Sequence, residues 1–107
     1  MVDQSTRERA RKAFDKHVWQ EAYEGFATLA ERGEAAAEDL ERLGEAAWWS
    51  AHPAESIDAF ERAHASYEAD GKPQAAARIA LRLALEFADR SEAAHWNGWL
   101  QRAIRLL

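Results

Sequence analysis

The 107-residue sequence has no cysteine, five glycines and two prolines. Without cysteine the chain cannot form a disulfide, a thiolate nucleophile or a thiolate zinc site, and a reducing compartment is favoured. Strand-favouring residues are also scarce, because valine, isoleucine and threonine together number seven. Alanine, the strongest helix former, occurs 25 times. Composition and length therefore predict an all-α fold in one domain over residues 1–107.

Positively charged residues are fewer than negatively charged ones. Fourteen lysines and arginines face nineteen acidic residues, which gives a formal net charge of −5. A nucleic-acid interface needs a basic footprint that neutralises phosphates, so we expect no direct nucleic-acid binding. No apolar run reaches the roughly 18 residues of a membrane span, and the N-terminus lacks the pattern of a signal peptide. We expect an acidic, cytoplasmic protein without a membrane partner.

Hydrophobic spacing and helix-breaking residues predict six helices. In the second helix the apolar side chains at 19, 22, 26 and 29 share one face. Gly33 and Gly71 suit helix ends, and Pro53 and Pro73 suit first turns. Short breaks make consecutive helices antiparallel. The predicted spans are about 3–16, 19–32, 34 or 37 to 50, 53–70, 73–89 and 91–107.

An internal repeat links these helices in pairs. The pair Ala22 and Phe26 recurs as Ser56 and Phe60 after a shift of 34 residues. A third unit fits after a shift of 40, with the six extra residues between Tyr67 and the helix that follows Pro73. The repeat therefore predicts three helix pairs, at about 3–33, 37–70 and 73–107.

This pattern resembles the tetratricopeptide repeat (TPR), a 34-residue helix–turn–helix unit. The second unit matches the family pattern best, through Leu40, Leu43, Gly44, Ser56, Phe60 and Ala63. The first unit has Arg9-Ala10 where the family has Leu-Gly, and the third has Trp96 where it has a small residue. The resemblance implies six antiparallel helices in a short right-handed superhelix.

A narrower resemblance is to the helical-repeat region of actinobacterial LuxR-type transcriptional regulators. The stretches that carry it are residues 19–26, 39–49, 55–64, 76–84 and 97–103. In that family the repeats are regulatory, and a separate helix-turn-helix domain binds DNA. The family's Gly-Asp turn before Trp19 is replaced by His17-Val18. The resemblance implies a sensor or interaction region of a bacterial regulator, or a free-standing relative.

Catalytic and metal-binding patterns are missing. The sequence has no G-x-S-x-G, P-loop or H-E-x-x-H motif. The four histidines, at positions 17, 52, 64 and 95, lie in separate segments. Turns of neighbouring repeats would be held apart at the helix spacing of about 10 Å, too far for one ion. We expect no enzyme activity, no cofactor and no metal.

The TPR resemblance implies a partner-binding groove. Its lining would be Arg7, Arg11, Phe14, Glu38, Glu41, Glu45, Trp48, Trp49, Arg78 and Leu81. The glutamates either pair weakly with Arg7 and Arg11, or form an acidic wall for a basic or amphipathic segment. Trp48 and Trp49 point about 100° apart, so one should pack and the other should be exposed. Trp19 is expected in the core.

The C-terminal helices are unusually apolar for the end of a repeat array. The fifth helix is apolar almost all round, which predicts burial on all sides. The expected interface edge consists of Trp96, Trp99, Leu100, Ile104 and Leu107. We therefore expect a protein–protein interaction or regulatory module that docks a protein or peptide partner or forms a homo-oligomer. The alternative is a small-molecule sensor that binds an apolar or aromatic ligand in the groove.

Overall fold

The structure, a computed structural model, describes the backbone of residues 4–89 and 93–107 and the side chains of residues 5–87 and 97–107. Over these residues it contains six α-helices and no strand, which confirms the predicted all-α class. The helices are α1 (Gln4–Asp15), α2 (Trp19–Glu31), α3 (Ala37–Trp49), α4 (Pro53–Ala69), α5 (Pro73–Asp89) and α6 (Ala93–Leu106). Their bounds agree with the predicted bounds to within about two residues.

The chain divides into two compact units, Met1–Ala59 and Phe60–Leu107. In unit 1, α2 packs against both α1 and α3, and in unit 2, α5 packs against α6. The division falls inside α4. That the whole chain forms a single domain stays a prediction.

Three of the four residues in the predicted apolar stripe of α2 belong to the core of unit 1. Ala22, Phe26 and Leu29 are completely buried. In unit 2 the prediction that α5 is buried on all sides is wrong. One face of α5 is buried, but Leu81 and Leu85 are 40% and 68% exposed. An almost wholly apolar helix here has a face in solvent because only part of its circumference meets a neighbouring helix.

Four helices end in the same backbone turn. At the ends of α1, α2, α3 and α4 one residue adopts a left-handed conformation, at His17, Gly33, Ala51 and Gly71 respectively. In each turn that residue and the next donate their N–H groups back to the last helical turn, which is a Schellman motif. The predicted helix ends at Gly33 and Gly71 are thereby confirmed. His17 and Ala51 adopt this conformation without being glycine, and they lie 34 residues apart.

Glycine at position 25 lets α1 and α2 approach closely. A Cβ atom built on Gly25 would lie 2.7 Å from the Cβ of Ala10, which is itself buried. Real Cβ atoms do not approach so closely, so a side chain at this position forces the helices apart. Gly98 in α6 differs, since its added Cβ would meet nothing within 4 Å.

We therefore expect Gly25→Ala to be less stable than Gly98→Ala. Both substitutions remove the helix penalty of glycine, about 1 kcal/mol, so the comparison isolates the steric cost between α1 and α2. That cost is about 1–3 kcal/mol for an overpacked core. Urea denaturation of the two variants measures it. Equal free energies of unfolding would mean that α1 and α2 are not in close contact at Gly25.

Candidate functional site

An open cleft of about 690 Å³ lies beside the start of α3 in unit 1. Its lining consists of Arg7, Arg11, Gly33, Glu34, Ala35, Ala36, Glu38, Asp39 and Arg42. The cleft therefore brings together three of the predicted groove residues, namely Arg7, Arg11 and Glu38. It is bounded by charges of both signs, whereas an acidic wall was one of the two interpretations of the sequence.

A buried ion pair joins α1 to α3 in this cleft. The Arg7 guanidinium lies 3.0 Å from Asp39 Oδ2 and also donates a 2.7 Å hydrogen bond to the Glu34 carbonyl oxygen. The Asp39 side chain is only 1% exposed, and Oδ2 also accepts the Ala36 N–H at 2.9 Å. The carboxylate that Arg7 contacts on α3 is thus an aspartate, whereas the sequence analysis considered pairing of Arg7 and Arg11 with the glutamates. The available signal for Asp39 was its place in the first turn of α3, where a carboxylate caps backbone N–H groups.

A second group of predicted residues lies in an aromatic cluster around Trp19. The Trp19 ring stacks on His17 at 4.8 Å and on Trp49 at 6.1 Å, and it meets Phe14 edge-on at 5.2 Å. Trp19 is only half-buried, so its assignment to the core is wrong. It lies at the start of α2, beside the α1–α2 turn, where the aromatic neighbours cover part of the ring.

Trp49 is the exposed member of the tryptophan pair. It is 58% exposed, while Trp48 is half-buried, so one of the two adjacent side chains is exposed as predicted. The Trp49 indole N–H donates to Glu45 Oε1 at 2.9 Å. This bond holds a carboxylate beside an indole ring that solvent can reach. Glu41, one turn earlier on α3, is half-buried like Glu45.

A polar aromatic pair lies at the neighbouring turn of unit 1. The His52 ring stacks on Tyr23 at 4.1 Å, and its Nε2 lies 3.1 Å from Gln20 Oε1. Burial raises the pKa of the Tyr23 hydroxyl, and the nearby carboxylates of Glu55 and Glu31 raise it further. Tyr23 therefore stays a neutral phenol throughout the neutral pH range.

The remaining predicted residues belong to unit 2. Arg78 and Leu81 are exposed on α5, and the Arg78 guanidinium lies 5.9 Å from the centre of the Tyr67 ring. Ile104 and Leu107 are exposed on the predicted interface edge, and Leu100 is half-buried.

Trp99 is not an exposed edge residue. Its side chain is 7% exposed and belongs to the core of unit 2, so its assignment to the interface edge is corrected. The apolar spacing of α6 directs this position toward the neighbouring helices. The side chain of Trp96 lies outside the described residues.

Trp99 covers a buried histidine. The His64 ring meets Trp99 edge-on at 5.1 Å, and its Nε2 lies 3.1 Å from Glu68 Oε1. Burial lowers the pKa of His64, with the Glu68 carboxylate opposing this shift and Arg102 adding to it. The Arg102 guanidinium in turn lies 4.4 Å from the centre of the Trp99 ring. His64 is consequently neutral at pH 7 and packs as a core residue.

A metal-binding cluster and a membrane-spanning helix are both absent among the residues that the structure describes. No group of three or more histidine, aspartate or glutamate side chains there could hold a metal ion. No helix in that part of the chain is long and apolar enough to cross a membrane.

Comparison with models of known protein families, with curated proteins and with solved structures finds no match to this chain.

We expect Asp39→Asn to destabilise the protein by about 3 kcal/mol, because the substitution leaves the Arg7 guanidinium largely buried without its counter-charge. Asp15→Asn is the matched control, since Asp15 is an exposed acid on α1 and its loss should change stability by less than about 0.5 kcal/mol. Urea denaturation gives both values. Similar small losses in the two variants would contradict a stabilising role for the ion pair.

We expect stability to fall in mild acid because of His64. Its folded-state pKa lies below the ordinary value of about 6.5, so below that pH the unfolded chain binds more protons. The stabilising contribution is complete above about pH 6.5 and is lost as the pH falls toward the folded-state pKa. The free energy of unfolding should therefore decrease more steeply from about pH 7.5 to 5.5 in the wild type than in His64→Phe.

Glu68, the acidic neighbour of His64, provides a second check on the pH dependence of stability. Glu68→Gln removes the charge that opposes the shift, so the loss of stability in acid should become larger. Glu61→Gln removes an exposed acid from the same helix and controls for the change in net charge. Identical pH profiles for His64→Phe and the wild type would refute the assignment.

Proposed function

We propose that the chain is a protein-interaction module of TPR type that docks a basic partner segment on unit 1. We further propose that it is related to the repeat region of bacterial LuxR-type transcriptional regulators. The 34-residue spacing supports the TPR assignment. His17 and Ala51 share a left-handed backbone conformation at this spacing, and α2 and α4 begin two residues after them. The aromatic positions Phe26 and Phe60, also 34 residues apart, are both buried.

Contacts within unit 1 support the helix pairing that a TPR requires. The small side chain of Ser56 on α4 donates a 2.8 Å hydrogen bond to the Gly44 carbonyl oxygen on α3. Small residues at these two positions let the helices of one pair approach closely. The start of α1 is joined to the start of α3 through Arg7 and Asp39. The end of α1 is joined to the end of α3 through the Trp19 ring, which contacts Phe14 on α1 and Trp49 on α3. These start-to-start and end-to-end contacts are those expected if α1 and α3 are the first helices of successive repeats and run in the same direction.

The exposed Trp49 is the observation that carries the binding proposal. A tryptophan that is 58% exposed leaves a large apolar surface in water, and such side chains are common anchors in protein interfaces. The indole is not free to rotate away, because it stacks on Trp19 and donates to Glu45. A partner that covers it would therefore lose little side-chain entropy on this side of the interface.

The charge beside Trp49 favours a basic partner. The Glu45 carboxylate is held against the indole, and Glu41 lies one turn earlier on α3. An arginine or lysine side chain could contact the indole face as a cation–π pair and at the same time approach these carboxylates. The net charge of −5 adds a long-range attraction for a basic segment.

Self-association is a second mode of interaction that a separate observation favours. Unit 2 exposes Leu81 and Leu85 on α5, Ile104 on α6 and Leu107 directly after α6. Large apolar side chains in water mark interaction surfaces when they lie together. A homo-oligomer would cover them in unit 2 without involving Trp49.

The small-molecule sensor is the second candidate function. The cleft of about 690 Å³ beside the start of α3 falls within the 300–1,000 Å³ range of ligand sites. Its lining is charged, however, so a polar ligand is favoured over the apolar or aromatic ligand that the sequence predicted.

We expect a fluorescein-labelled amphipathic peptide with arginine and leucine side chains to bind the wild-type protein. Trp49→Ala should weaken this binding about thirtyfold, the loss typical of an anchor that contributes about 2 kcal/mol. Glu45→Gln keeps an oxygen acceptor for the indole N–H but removes the charge, so it should weaken binding less and lower its salt dependence. Fluorescence anisotropy titrations measure all three affinities.

Leu85→Ala is the matched control, since it removes an exposed apolar side chain from unit 2. It should leave peptide affinity unchanged. Full affinity in Trp49→Ala would contradict the proposed surface. Loss of affinity in Leu85→Ala alone would move the docking surface to unit 2. Light scattering at the same concentrations reports self-association independently, and an unaltered monomer at high micromolar concentration would argue against the homo-oligomer.

A further inference from the structure

Unit 2 exposes side chains of the kind that the surface around Trp49 should bind. On α5, Arg78, Leu81 and Leu85 all reach solvent, the two leucines with 40% and 68% of their surface exposed. These three residues occupy positions i, i+3 and i+7, so they lie on one side of the helix. We call them the α5 stripe. An arginine beside two leucines on one helical face is the pattern of a basic amphipathic segment.

The exposed charge of the α5 stripe is positive. Glu86, on the same helix, is only 3% exposed, and its Oε1 lies 3.3 Å from Nε of Arg82. This carboxylate is therefore held inside unit 2 and does not accompany Arg78 at the surface. Among the side chains that the structure describes on α5, no exposed acid lies beside the stripe.

The exposed apolar residues of α6 fit a basic amphipathic segment less well. Ile104 is 56% exposed, but the arginines of this helix are engaged elsewhere. The Arg102 guanidinium lies 4.4 Å from the centre of the Trp99 ring. Arg102 and Arg105 also line a pocket of about 230 Å³ together with Glu68, whose carboxylate opposes their charge. The α5 stripe is therefore the better basic surface of unit 2.

The two units differ in charge as their surfaces do. Unit 1 contains thirteen acidic and seven basic residues, whereas unit 2 contains six acidic and seven basic residues. Like charge opposes a contact between two copies of unit 1, while opposite charge favours a contact between unit 1 of one copy and unit 2 of another. At residue level, Glu45 and Glu41 beside Trp49 complement Arg78 on α5.

We propose that the basic segment that docks at Trp49 is the α5 stripe of a second copy of this chain. Arg78 of the second copy approaches the carboxylate of Glu45, and the leucines of the stripe cover the exposed indole of Trp49. The contact is head-to-tail, so each copy offers one surface for binding and another to be bound. Such an assembly closes into a ring or continues as a chain. This inference rests on the proposed docking at Trp49 and names its partner.

The head-to-tail contact differs from the pairing of unit 2 with unit 2 considered above. Pairing through two α5 stripes would bring together surfaces of the same positive charge, and it would leave Trp49 in solvent. The head-to-tail contact covers both apolar surfaces and joins charges of opposite sign.

Sedimentation equilibrium of the full chain tests the proposal. The concentration series extends to about 1 mM, because small interfaces form weak complexes. Trp49→Ala and Leu85→Asp should each weaken association by about tenfold or more. Ile104→Asp is the matched control, since it places the same charge at an exposed apolar position of α6, and it should associate like the wild type. Raising the salt concentration from about 0.05 to about 0.5 M should weaken the wild-type association.

Mixing two variants isolates the head-to-tail contact. Trp49→Ala retains the α5 stripe, and Leu85→Asp retains the surface around Trp49. An equimolar mixture should therefore contain a complex with twice the mass of one chain, at concentrations where each variant alone is monomeric. The unlabelled arginine–leucine peptide should dissociate this complex, because both compete for Trp49. Circular dichroism of each variant shows whether its helices are intact.

Three outcomes would overturn the proposal. The first is a wild-type chain that stays monomeric at about 1 mM; binding of the labelled peptide to the same sample would then leave the docking at Trp49 intact. The second is association that survives Trp49→Ala and is lost in Ile104→Asp, because the contact would then join unit 2 to unit 2. The third is a mixture of Trp49→Ala and Leu85→Asp that forms no complex. If the mixture forms the complex but the free peptide does not bind, the contact between copies stands and docking of a free segment is wrong.

Discussion

The buried ion pair between Arg7 and Asp39 is the interaction on which unit 1 depends. Removing two charges from water costs several kcal/mol per ion, and good geometry with further hydrogen bonds must offset it. Here Asp39 Oδ2 also accepts the Ala36 N–H, and Arg7 also donates to the Glu34 carbonyl oxygen. One carboxylate and one guanidinium thereby fix α1, the start of α3 and the loop before it. The cleft beside α3 lies where these three elements meet.

Local patterns in the sequence predicted the helices well because helix formation and helix ending are local. The spacing of Ala22, Phe26 and Leu29 identified a face that is completely buried, and Gly33 marked a helix end that has the expected left-handed conformation. The candidate site was harder to predict. Arg7 and Asp39 are 32 residues apart, so nothing local to either residue shows that they meet.

The aromatic residues also show that contacts between distant positions could not be predicted from local sequence. The sequence predicted that Trp48 and Trp49 divide between packing and solvent, but it could not say which is exposed, because that depends on where Trp19 lies. It also placed Trp99 at an exposed edge, whereas Trp99 covers His64 in unit 2. The ring cluster around Trp19 and the ring cluster around Trp99 have different surroundings. Around Trp19 the rings form a stack that solvent reaches, while around Trp99 they exclude water from an imidazole and shift its protonation.

The shared turn geometry at His17 and Ala51 has a consequence for how this chain tolerates change. Both turns have the same pattern of backbone hydrogen bonds, and their sequences, His17-Val18 and Ala51-His52, have no residue type in common at matching positions. The same turn shape is thus formed with different side chains. Evolution can alter the chemistry displayed at one junction while the direction of the next helix is preserved. The two turns therefore present different side chains, His17 and His52, to the rings of Trp19 and Tyr23 from the same backbone frame.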